Sequence, residues 1–172
     1  MNDAEWLALL LRSEANLQHE WWPVGWVVRN RVESEKFPDT YEGVILQRMQ
    51  FSYFNGWTSA GIAPDRIFVE AQRGYAGPTE PLSLACAKAI LATPRWHAPF
   101  GRAVLNYWSP VSMLPQGSLP AWDFSHLRCF ELSGIDPYRF IFGETVKVGH
   151  PLAGSRSGRF EFLAPPPVSG GV

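Results

Sequence analysis

A carboxylate stands where an apolar stripe leads one to expect another leucine. Leu7, Leu10 and Leu11 fall at i, i+3 and i+4 of a helical period, and the next position on that stripe, i+7, is Glu14. A carboxyl carried inward by such a stripe loses hydration, so its charged form is disfavoured and its pKa rises. An acid still protonated near neutral pH is what general-acid catalysis requires. The residues alone leave a second reading open, in which the helix stops at residue 13 and Glu14 is solvated at its end. Ordinary glycosidases need a second carboxylate about 5 to 10 Å away. Glu20, Asp39 and Asp65 are the candidates, and each also reads as a helix-flank or turn residue. Two other chemistries compete. His19, His97, His126 and His150, with Asp123, offer ligands for a zinc peptidase, but no HExxH or comparable spacing occurs. Cys86 could serve a cysteine peptidase, but it lies inside "LSLACAKAIL", where a small buried thiol is the simpler reading.

The elements that must position Glu14 are legible in outline. Asn2 and Glu5 have capping-box spacing for a first helix over 3–14. Asn16 to His19 breaks it. Pro23 suits the first turn of a second helix, and Val24, Val27, Val28 and Val32 carry a 3.6-residue period to about residue 34. Phe37-Pro38-Asp39-Thr40 is a turn, with Thr40 capping a short helix over 41–48. Residues 49–65 are aromatic and glycine-containing and read as a hairpin or loop. Helices are expected over 65–75 and 81–92, a strand over 102–108, a loop over 109–123, and short extended pieces over 128–132 and 139–142. The expected class is α+β, mainly α, with a small β-hairpin or sheet region. The domain division expected is 1–148 for the functional domain and 149–172 for a Pro/Gly/Ser-rich tail ending "APPPVSGGV".

Composition narrows the function classes. With 46% hydrophobic and 18% charged residues the 172-residue chain is globular, and one core is the default. A net charge of −1 gives no electrostatic case for nucleic acid. No apolar run reaches 18 residues, so no membrane span is expected. Eight Trp suit either a Trp-rich core or a groove whose aromatic faces stack on sugar rings, and composition does not choose. Cys86 and Cys129 form no CxxC pair, so two free buried thiols are expected rather than a metal knuckle, although a disulfide would fit an oxidising compartment. No metal or other cofactor is expected. The start, Asn2-Asp3-Ala4-Glu5, is acidic and unlike a signal peptide. That leaves the compartment open between a virion and cytoplasmic synthesis followed by delivery to the periplasm or wall.

Several segments together resemble the cell-wall hydrolase family of the spore cortex-lytic enzymes. They are Ser13-Glu14-Ala15; Val27-Val28-Arg29-Asn30-Arg31-Val32, similar to that family's "VxNRV"; Phe37-Pro38-Asp39-Thr40, similar to "FPxT"; Val44-Ile45; Gln50-Phe51-Ser52, similar to "QFS"; the Ala-rich helix at 85–92; and Leu105 to Pro110, similar to "YYxxP". Their order and approximate spacing hold over residues 4–110, with the connection from Glu14 to Asn30 about two residues shorter than in that family. The resemblance implies a lysozyme-like fold acting on the glycan strands of peptidoglycan as a lytic transglycosylase, with a muramidase-type hydrolase as the alternative. It implies Glu14 as the catalytic acid, which closes the choice that periodicity left open. Gln50, Ser52, Tyr53 and Tyr107 are the expected substrate-binding residues. Asn30 is expected to fix backbone, and Arg31 to be a structural ion-pair partner. Gln18 stands where the family carries a second acid. The expected partners are peptidoglycan strands and, through the tail, virion proteins, as for a phage-encoded lysin. A catalytically silent wall-binding or virion protein with the same fold is the non-enzymatic alternative.

Overall fold

The computed structural model describes residues 1–74, 80–113, 120 and 123–147. Six helices come first: α1 (Asp3–Glu14), α2 (Gln18–Val32), α3 (Tyr41–Ile45), α4 (Ser52–Ser59), α5 (Pro64–Gly74) and α6 (Glu80–Ala92). Three short strands follow, β1 (Val104–Trp108), β2 (Leu127–Phe130) and β3 (Ile141–Thr145), in the sheet order β1-β3-β2. The protein is therefore α+β and mainly α. The chain divides into a unit over Met1–Tyr107 and a second from Trp108 onward, and the division falls inside β1.

In the first unit α1 is the central helix. Its capping box is formed: the Asn2 side chain accepts the Glu5 N–H at 3.1 Å, and the Glu5 carboxylate accepts the Asn2 N–H at 2.8 Å. Leu7, Leu9, Leu10 and Leu11 are fully buried, so the helix is apolar on nearly every side. It packs on α2, α3, α5 and α6. Each leucine burial contributes roughly 2 kcal/mol, enough together to carry an unfavourable group at the helix end. Gly25 lets α2 cross close by: a Cβ there would meet Ile90 Cδ1 of α6 at 2.4 Å and Leu11 Cδ2 of α1 at 3.3 Å.

The second unit has its own small core of Trp108, Leu127, Cys129 and Ile141, with Met113 and Phe124 against it. Its strands β2 and β3 pair antiparallel, Leu127 opposite Thr145 and Phe130 opposite Phe142. Arg128 faces Glu144 across the ladder and pairs with it.

Three expectations about elements are corrected. The second helix starts at Gln18, not at Pro23, because the Glu20 carboxylate accepts the Leu17 N–H at 3.2 Å and caps an earlier start. Pro23 sits inside the helix. The third helix ends at Ile45 rather than 48. Residues 49–65 hold no hairpin: the segment contains the eight-residue α4, with Phe51 at its N-cap and Phe54 within it both buried. Both cysteines are free. Among the described residues, Trp6, Trp21, Trp26 and Trp108 are core residues, whereas Trp96 is 81% exposed. The division at Tyr107 lies within the expected 1–148 domain, and the expected 149–172 tail lies outside the described residues. No described helix is long and apolar enough to cross a membrane.

Candidate active site

Glu14 is the last residue of α1. The backbone leaves the helix at Ala15 in an extended conformation, and the Trp21 indole Nε1 donates to the Ala15 carbonyl at 2.9 Å, which fixes the exit. The carboxyl is thus carried to the end of the leucine stripe and held there, part-buried. Tyr107 on β1 donates its hydroxyl to Glu14 Oε2 at 3.1 Å. Tyr107 is itself buried, 9% exposed.

β1 is held in place for this contact by α2. Asn30 Nδ2 donates to the Gly101 carbonyl at 3.0 Å and to the Val104 carbonyl at 2.8 Å. Arg31 Nε donates to the Leu105 carbonyl at 2.7 Å. Asn30 therefore fixes backbone, as its sequence context suggests. Arg31 departs from the expected ion-pair role. Its guanidinium lies over the rings of Phe37 and Phe51, 5.2 Å and 5.3 Å from their centroids. No hydrogen bond or ion pair joins it directly to Glu14, yet its charge acts on that carboxyl.

Burial dominates the charge state of Glu14. Desolvation pushes its pKa from 4.5 up to about 7, against the Tyr107 hydrogen bond and the Arg31 charge, which pull the other way and do not win. Burial, then the neighbouring carboxyl, drives the Tyr107 phenol well above its ordinary range, so it stays a donor. Burial also lowers Arg31, opposed by Tyr107 and Glu14. A carboxyl with both forms populated near neutral pH can give a proton and take one back. Among the described residues, the groups acting on its charge are the Tyr107 phenol and the Arg31 guanidinium.

The other expected site residues are placed less directly. Met49 adopts a left-handed conformation (φ 65°), and its N–H donates to the Asn55 side chain at 2.9 Å. That turn delivers Gln50 and Ser52, both exposed, to the start of α4. Phe51 between them is buried beneath Arg31. The "QFS" stretch thus reaches the site through its phenylalanine. Tyr53 packs edge-on against Phe54 and Trp57, each at 5.2 Å, and its hydroxyl lies against Gly74. Among the described residues, no hydrogen bond or ion pair joins Gln50, Ser52 or Tyr53 to Glu14, whose side chain bonds to Tyr107.

Arg31, expected as a structural ion-pair partner, and Phe51, expected only as part of the "QFS" segment, are the residues this arrangement adds to the candidate site. A signal for Arg31 existed: it stands at i+7 on the buried Val24, Val27, Val28 stripe, as Glu14 does on its leucine stripe.

Among the described residues, no three His, Cys, Asp or Glu side chains gather to hold a metal. His126 pairs with Asp123 at 3.2 Å on the surface, and His150 lies outside the described residues. Glu20 is fully buried and caps its own helix, while Asp39 and Asp65 are exposed.

Residues 18–126 match the family described as Cell Wall Hydrolase. No curated protein and no solved structure matches the chain. The matched span takes in Arg31, Gln50, Ser52, Tyr53 and Tyr107 and begins four residues after Glu14.

Proposed function

The chain belongs to the cell wall hydrolase family, whose target is peptidoglycan, and from that premise we propose that it cleaves the glycan strands with Glu14 as general acid and then general base. The observation that carries this reading is the part-buried Glu14 carboxyl, raised to about 7 and hydrogen-bonded to Tyr107. The reaction proposed is that of a lytic transglycosylase. Glu14 gives its proton to the glycosidic oxygen as the bond to the anomeric carbon breaks. The muramyl 6-hydroxyl then attacks that carbon and returns its proton to the Glu14 carboxylate, closing a 1,6-anhydro ring with no water consumed. One carboxyl serves both steps, which fits a setting of phenol and guanidinium rather than paired carboxylates. Gln50 and Ser52 are proposed to face the sugar. Their exposure beside the strained Met49 turn supports this. Tyr107 is proposed to orient the acid. For Tyr53 the support is limited to its place in the same segment.

The test is digestion of purified peptidoglycan by wild type and by Glu14→Gln, with products read by mass spectrometry. Anhydro-muropeptides from wild type and none from the variant are expected. Reducing-end products, heavier by one water, would mean a muramidase. Products unchanged by the substitution would sink the role of Glu14, and none from either protein would favour a wall-binding protein.

A further inference from the structure

Arg31 is a buried cation, 3% exposed, in a place where water cannot screen it. Three contacts fix it: the Leu105 carbonyl at 2.7 Å and the two aromatic faces of Phe37 and Phe51. Leu105 lies two residues before Tyr107 on the same strand, so the cation and the phenol that touches Glu14 share one anchor. The Arg31 Nη1 is buried and has no hydrogen-bond partner. Yet no hydrogen bond or ion pair joins the guanidinium to Glu14, the part-buried carboxyl whose charge acts on it.

That arrangement has a chemical use. A guanidinium in direct contact with Glu14 would hold it ionised and leave no proton to donate. A guanidinium far away would leave the carboxylate that follows proton transfer unsupported in a poorly hydrated site. We propose that Arg31 is a positioning residue for the Glu14 chemistry, a tethered counter-charge held out of contact by Phe37, Phe51 and the Leu105 carbonyl so that it stabilises the Glu14 carboxylate only as the proton departs. Among the described residues, the titratable groups acting on Glu14 are the charged Arg31 from α2 and the neutral Tyr107 phenol from β1. The inference rests on the catalytic reading of Glu14 for its purpose, but its electrostatic content can be read without any turnover.

The experiment is a carboxyl 13C titration of the full chain, with the Glu14 resonance assigned by its disappearance in Glu14→Gln. Arg31→Met removes the charge at similar volume, and the Glu14 midpoint is expected to move up by roughly one pH unit. Phe37→Leu keeps the charge but loses one face of the tether, and the midpoint is expected to move down as the guanidinium gains freedom to approach. Opposite movements support the tethered counter-charge. A midpoint unmoved in both, or moved the same way in both, overturns it. If Arg31→Met does not fold, Phe37→Leu decides alone: a midpoint that stays or rises overturns the proposal. The alkaline limb of the pH–rate profile on peptidoglycan is expected to follow the same two directions. Because the titration needs no substrate, a protein whose products ignored Glu14→Gln would refute the proposed function while the midpoint shifts still judged Arg31.

Discussion

Replacing Glu14 by Gln is expected to stabilise the protein at neutral and alkaline pH while abolishing cleavage. The unfolded chain titrates Glu14 at about its ordinary 4.5 and the folded protein at about 7. Between those values the native state holds the proton that the unfolded state has lost. Stability therefore falls as pH rises through the window and is level above it. The full difference of about 2.5 pH units corresponds to about 3.4 kcal/mol at about 1.36 kcal/mol per unit. Glu14 keeps some contact with solvent, which trims the cost to about 2–3 kcal/mol. Gln presents a similar shape, accepts the Tyr107 hydroxyl and carries no ionisable proton. The variant should match wild type near pH 4 and exceed it by about 2–3 kcal/mol above pH 8, or roughly 5–10 °C in Tm for a chain of this size. Urea unfolding followed by circular dichroism from pH 4 to 9 measures the difference directly. A gap that does not change with pH, or one that favours wild type as pH rises, would refute the claim that burial sets the Glu14 charge.

Three further outcomes follow from other contacts. Tyr107→Phe removes a donor that favours the carboxylate, so the alkaline limb of the pH–rate profile should move up, with about 1 kcal/mol lost in stability; a limb that stays in place would argue against the contact. Asn30→Ala leaves the Gly101 and Val104 carbonyls without their donor and should cost about 2 kcal/mol at every pH in denaturant unfolding, whereas a pH-dependent cost would contradict a purely backbone-fixing role. Gly25→Ala drives a Cβ into Ile90 Cδ1 and should cost about 1–3 kcal/mol; Ile90→Val deletes that methyl, so the double variant should lose less than the sum, and strict additivity would show that the clash is not the cause.

What the sequence made legible was local. The capping box at Asn2 and Glu5 and the leucine stripe ending at Glu14 specify α1 to its last residue, because both signals lie within one helix. The start of α2 was harder to place, since Pro23 looks like a first-turn residue while the cap is Glu20 reaching back to Leu17. Residues 52–59 contain Asn55, Gly56 and Thr58, all poor helix formers, and read as a loop. Burial of Phe54 and the edge-on packing of Tyr53 against Trp57, four residues apart, override that propensity. The partners of Glu14 could not be inferred from spacing at all, because Tyr107 stands 93 residues away. The period that marks Glu14 as unusual also marks Arg31. Only the coordinates show that aromatic faces rather than a carboxylate receive it.

That long span also bears on when the environment of Glu14 is assembled. The contacts that place β1 beside α1 and α2 close loops of 71, 74 and 93 residues. Loop closure of that length is a late, cooperative event in folding. Until it happens, α1 alone presents an ordinary solvated carboxylate with no unusual acidity. A nascent or partly unfolded chain carries Glu14 without the burial that raises its pKa or the Tyr107 contact. On the proposed reading, activity would arise only with completion of the first unit, and a single backbone cleavage that detaches β1 would abolish it while leaving Glu14 chemically intact.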